Sequence, residues 1–179
     1  MSRWRKPAGP FVSLGAGRFA LRLDPDERRV LGGLLPQMAE MLESPDTPDL
    51  RRLFPTAYPN DPELDAEYQG LMRDELRTSR SSAMDRVVAS LDSEELDATD
   101  MQSWLQTLNA ARLVLGTRLN ISEDEDPTEG LFVDVPEEGG RRRGQRQMAD
   151  TPEAAARFAY LWLSELLEAA VAAADDDLG

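Results

Sequence analysis

The chain has 179 residues, 34 acids against 20 bases, a net charge of −14, and neither histidine nor cysteine. Those absences, with Lys6 as the single lysine, exclude the imidazole base, the thiolate nucleophile, a Cys/His zinc site, a Schiff-base lysine and the lysine of a P-loop. A chain of this size buries enough surface to fold as one domain without disulfides, and its acidity repels nucleic acid at long range.

The N-terminus carries Arg3, Trp4, Arg5 and Lys6, a basic tail with one aromatic. It starts like a signal peptide, but Pro7, Gly9, Pro10, Ser13, Gly15 and Gly17 interrupt any apolar stretch. No run approaches the roughly 18 apolar residues of a membrane span, so a cytoplasmic location and no membrane partner are expected. Residues 11–14 and 18–23 read as two short strands. Phe19, Leu21 and Leu23 alternate with Arg18, Ala20 and Arg22, and Gly15 and Gly17 bracket the turn. A lone hairpin is marginal in water, so its apolar face must lie on helices.

Asp24-Pro25 is a helix start, with Asp26 and Glu27 suited to the positive end of the helix dipole. Val30, Leu31, Leu34, Leu35, Met38, Met41 and Leu42 follow at helical spacing, and Pro36 is expected to kink or split the run. Residues 44–63 hold five prolines and read as an irregular connection with one short helix near 48–53, pinned by Leu53, Phe54 and Tyr58. Asp61-Pro62 opens a long helix to about residue 90. Its expected buried stripe is Leu64, Tyr68, Leu71, Met72, Leu76, Ala83, Val87, Val88 and Leu91. Residues 92–99 read as a break, and Thr99 or Asp100 as the cap of a third helix reaching Leu119.

That third helix is apolar nearly all round, through Trp104, Leu105, Leu108, Ala111, Leu113, Val114, Leu115 and Leu119, and is expected at the centre of the fold. A buried arginine must be paired. We therefore expect a buried polar network of Asp74, Glu75, Asn109, Arg112 and Arg118, in which Arg112 bonds a carboxylate, with Asp74 and Glu75 as candidates, or backbone carbonyls. Residues 120–138 are acidic without a base, and Arg141, Arg142, Arg143 and Arg146 follow. This stretch reads as a flexible, charge-segregated loop in which Leu131, Phe132, Val133 and Val135 mark a short strand or a docking patch. Thr151-Pro152-Glu153 starts a last helix, expected to fray at Asp175-Asp176-Asp177. The fold expected is mainly α. Residues 1–10 are a loose tail, 11–23 a two-stranded hairpin, 24–120 a helical core, 121–149 a flexible loop and 150–174 the C-terminal helix, four to five helices in all.

The chemistry weighs against an enzyme. Glu123-Asp124-Glu125-Asp126 lacks the alternating ligands and central glycine of an EF-hand, and reads as a solvated loop; no metal and no cofactor are expected. Arg3, Trp4, Arg5, Lys6, Arg141, Arg142, Arg143 and Arg146 are the candidate nucleic-acid or partner contacts, enough for weak, salt-dependent phosphate binding. The helix after the 92–99 break begins Asp100, Met101, Trp104, Leu105, which is wrong for a DNA-reading helix. The acidic loop 123–138 folding over the arginine cluster is a sharper expectation.

Two stretches carry a resemblance. One is Leu53-Phe54-Pro55-Thr56-Ala57-Tyr58-Pro59, running on to Asp74-Glu75-Leu76-Arg77-Thr78-Ser79-Arg80. The other is Trp104-Leu105 with Leu108-Asn109-Ala110-Ala111-Arg112-Leu113-Val114-Leu115-Gly116-Thr117-Arg118-Leu119. With the Phe19-to-Leu23 strand and the closing Tyr160-Leu161 helix, they resemble an actinobacterial family once catalogued as a domain of unknown function and later described as oxidative-stress transcription regulators. The resemblance implies a non-enzymatic regulator that contacts a sigma factor or RNA polymerase and acts on sulphur-metabolism genes. It leaves open an adaptor linked to proteolysis or sulphur metabolism, and a homodimer. Redox sensing in that family is tied to a cysteine pair spaced C-x-x-x-C, which this chain lacks.

Overall fold

The structure, a computed structural model, describes residues 9–44, 48–122, 126–135 and 145–179. Strands β1 (Phe11–Gly15) and β2 (Arg18–Leu21) pair antiparallel, Phe11 opposite Leu21 and Ser13 opposite Phe19. Gly15, Ala16 and Gly17 all take positive φ, so the turn exploits the freedom of its two glycines. Residues 92–99, expected as a break, contain a third strand. β3 (Glu95–Asp97) pairs with β2 through Phe19 opposite Leu96, and the sheet order is β1-β2-β3. The signal was faint because a three-residue strand with one buried side chain, Leu96, shows no alternation to read.

The fold is mainly helical, as expected, with four α-helices. Helix α1 (Pro25–Leu42) starts on an Asp24–Glu27 capping box and buries Leu31, Leu35, Met38 and Leu42. It runs through Pro36 without being split. Gln37 Nε2 donates to the Gly33 carbonyl at 2.9 Å, next to the Gly32 carbonyl whose i+4 donor the proline removes. A single 3-10 turn (Pro48–Leu50) follows, and Leu50 and Leu53 are buried. Helix α2 (Pro62–Ser90) is capped by Asp61. Its buried residues begin only at Ala83. Of the expected stripe, Leu64, Leu71 and Val88 are exposed, Leu71 at 72%; the first five turns lie along the surface.

Helix α3 (Ala98–Arg118) begins one or two residues before the expected caps. Asp97 is the cap, in a capping box with Asp100. Arg86 on α2 reaches both carboxylates, with Nε 2.7 Å from Asp100 and Nη2 3.7 Å from Asp97. Strand β3, cap and helix are therefore held as one piece. Trp104 is fully buried, stacks edge-on against Phe11 at 5.3 Å, and donates from Nε1 to Ser90 Oγ at 3.0 Å. Helix α4 (Pro152–Leu178), capped by Thr151, lies along α3 and β1. With α2 on its other side, α3 is the central element.

Strands β4 (Phe132–Val135) and β5 (Gln145–Met148) form a separate antiparallel pair, Phe132 opposite Met148. A small cluster of Leu131, Ala149 and Ala154 anchors it to α4. The short strand expected around Leu131–Val135 is present, and the 121–149 stretch is in this part ordered by pairing. The C-terminal acids do not end the helix early. Asp177 accepts from Ser13 Oγ and from the Gly17 backbone N–H, both at 3.0 Å, so the last turn of α4 is tied to the β1–β2 hairpin.

Candidate functional site

Leu113 on α3 borders two shallow grooves. The first, about 300 Å³, is lined by Arg80 of α2 and by Gln102, Gln106, Asn109 and Leu113 of α3, with Leu53 at its floor. The second, about 370 Å³, is lined by Arg52, Arg112, Leu113, Ile121, Ser122 and Tyr160. Arg112 also borders a third, beside Ser164, Glu168 and Asp175 of α4.

Local geometry explains why arginines collect here. The 3-10 turn delivers Arg52 to the end of α3, where Nη2 donates to the Ile121 carbonyl at 2.7 Å. A Cβ on Gly116 would sit 3.1 Å from Tyr160 Cε2 and 3.2 Å from Arg52 Nη1. The absent side chain therefore lets ring and guanidinium lie against the helix. Glycine inside a helix costs about 1 kcal/mol relative to alanine, and this close approach is what it permits. Phe54 holds two more cations over its ring, Arg73 at 5.1 Å and Arg80 at 5.2 Å. Burial pushes the Arg80 guanidinium below its usual value, but an arginine remains charged at neutral pH.

Only some arginines of this acidic chain pair with carboxylates. Arg18 meets Glu95, Arg77 meets Glu43, Arg86 meets Asp100 and Arg157 meets Glu153. Among the described residues Arg22, Arg51 and Arg118 have no such pair, and Arg28 bonds backbone carbonyls. Among the described residues, no carboxylate lies within 4.0 Å of Arg52, Arg80 or Arg112. Arg112 Nη2 has a long contact of 3.4 Å to Asn109 Oδ1, and its buried Nε has no hydrogen-bond partner. The grooves thus present guanidinium groups, side-chain amides and leucine surface together, which suits carboxylates displayed on a peptide.

The expected buried network is not formed. Asp74, Glu75, Asn109 and Arg118 are exposed, and Arg112 is partly buried. Arg112 lies among residues of α4, whereas Asp74 pairs with Arg77 on its own helix, its side chain 84% exposed. The reasoning assumed that an arginine in an apolar helix is enclosed; helix α3 instead leaves one strip uncovered, and Asn109 and Arg112 stand on it. Arg3, Trp4, Arg5, Lys6, Arg141, Arg142 and Arg143 lie outside the described residues, as does the side chain of Arg146, whose backbone belongs to β5. Arg52, Arg80 and Tyr160 were not singled out from sequence. The available signals were Gly116 in an otherwise well-filled helix and Arg51-Arg52 directly before Leu53-Phe54.

The protein-family model described as Domain of unknown function (DUF2017) matches residues 1–174. The chain belongs to that family. No curated protein and no solved structure matches it. The family match takes in α1, α2, α3, both sheets and most of α4, and stops three residues short of Asp177. Among the described residues no three acids cluster as a metal site. No described helix is long and apolar enough to cross a membrane.

Proposed function

We propose that this DUF2017 protein is a transcription-associated regulator, linked to oxidative stress or sulphur metabolism, that works by contact with other proteins and not by turnover. The transcriptional part of the reading comes from the resemblance of the 53–80 and 104–119 stretches to the oxidative-stress regulator family. The contact part is carried by one observation: among the described residues of an acidic protein, Arg52, Arg80 and Arg112 have no carboxylate partner along shallow grooves lined with leucine and amides. Open grooves with several arginines suit a protein surface better than a small substrate, which favours concave, largely enclosed sites. With no cysteine, the chain forms no disulfide of its own; either it senses nothing itself or a redox signal reaches it through its partner, methionine oxidation being a weak substitute.

Affinity capture from lysate, with and without oxidant, tests this. Recovery of RNA polymerase or a sigma factor supports the regulator; recovery of protease components without either supports the runner-up, a non-DNA-binding adaptor. Turnover of a small substrate by the purified chain would refute both. Weak DNA binding through the arginines of the tail and of 141–146 is a subsidiary part of the proposal. It predicts affinity that falls steeply with salt and rises when residues 121–138 are removed.

A further inference from the structure

Resting on the contact reading above, we infer that the two grooves bordered by Leu113 on α3 are a docking site for an acidic, leucine-containing peptide segment of a protein partner, held by Arg52 and Arg112. The lining sets the class of occupant. Arg52 and Arg112 offer guanidinium forks, which match carboxylates in a bidentate geometry. Arg80 offers a third cation, half-desolvated beside Phe54. Gln102, Gln106 and Asn109 can hydrogen-bond a peptide backbone, and half-buried Leu105 and Leu113 supply apolar contact between them. From Gln102 to Leu113 the helix rises about 16 Å, which an extended peptide of about five residues spans.

Charge separates this occupant from a polyanion. A net charge of −14 opposes nucleic acid over the whole molecule. A short acidic peptide meets the local arginines at contact distance, where bulk repulsion is screened beyond about 8–10 Å. Arg112 is only loosely held at its outer end: Nη2 has one long neutral contact, to Asn109 Oδ1. Arg52 is already oriented by the Ile121 carbonyl and leaned against Gly116, so little side-chain freedom is lost when a ligand arrives.

The probe is a fluorescein-labelled peptide of about eight residues alternating Glu and Leu, titrated into the full chain by anisotropy. Its Gln/Leu counterpart and an oligothymidylate serve as comparison ligands. The acidic peptide should bind about 10-fold more tightly than the neutral one, and Arg52→Gln and Arg112→Gln should each weaken it by about 10-fold. Arg29→Gln, whose guanidinium pairs with Asp26 on α1, should leave it unchanged. Arg52 is exposed, so its variant tests the site even where Arg112→Gln disturbs packing. Equal binding of the neutral peptide, or indifference to both variants, overturns the assignment. Tighter binding of oligothymidylate overturns the peptide class. If the peptide fails while wild type and Arg52→Gln capture RNA polymerase equally, the groove falls and the regulator stands. If the peptide binds as described and no transcription protein is captured, the docking site stands and the regulator falls.

Discussion

Asp177 lies in the last turn of a helix, where a carboxylate opposes the dipole. It is retained because it accepts from Ser13 and from the strained-turn residue Gly17, closing the chain onto its own first hairpin. Asp177→Ala should lower stability by about 1–3 kcal/mol, seen as a lower urea midpoint with unchanged slope; an unchanged midpoint would mean that the two bonds carry no net stabilisation. Thr107 is the opposite case. Its side chain is 1% exposed and Oγ1 has no partner among the described residues. Thr107→Val, close in shape and free of the hydroxyl, should be neutral or stabilising by about 1 kcal/mol, and a lower melting temperature would contradict this. Asp126 accepts from both the hydroxyl and the N–H of Thr128, and these bonds, with a small contribution from Arg157, hold its carboxyl below the usual range. A depressed carboxylate contributes above its unfolded value and loses that contribution as pH falls through the folded one. The turn at 126–131 should therefore loosen only in strong acid. Thr128→Ala should raise the Asp126 midpoint in a carboxyl NMR titration.

At the scale of elements, the parts that sequence revealed were those with local punctuation. Asp24-Pro25, Asp61-Pro62 and Thr151-Pro152 each name a helix start, and all three helices begin at those prolines. What stayed hidden depended on neighbours. β3 exists because β2 offers it an edge. Leu64 and Leu71 have helical spacing yet stand exposed, with only Tyr68 between them packed on Tyr58, since spacing shows which side chains share a face and not whether that face is covered. Leu71→Ser should consequently change stability by less than about 0.5 kcal/mol. Trp104→Ala, at the meeting point of α2, α3 and β1, should cost about 3–5 kcal/mol. Similar losses for the two variants in thermal unfolding would mean that α2 is packed along its whole length. The grooves were illegible for the same reason: Arg52, Arg112 and Tyr160 are far apart in the chain, and the close approach of Arg52 and Tyr160 at Gly116 is visible only in the fold.

Across the whole molecule, the charge distribution is what the function reading rests on. An excess of acids is spread over helices and loops, while among the described residues Arg52, Arg80 and Arg112 line the grooves beside α3 without a carboxylate in ion-pair contact. A protein without imidazole or thiol has few routes to chemistry, but such grooves give it a route to recognition. The family match covers the elements that build the grooves. The most direct test is amide chemical-shift mapping of the labelled chain while a partner captured from lysate is added. The account predicts the largest shifts at Arg52, Arg80, Gln106, Leu113 and Tyr160, and their loss in Arg52→Gln. Shifts confined to the outward face of α2 around Leu64 and Leu71, undisturbed by Arg52→Gln, would contradict it.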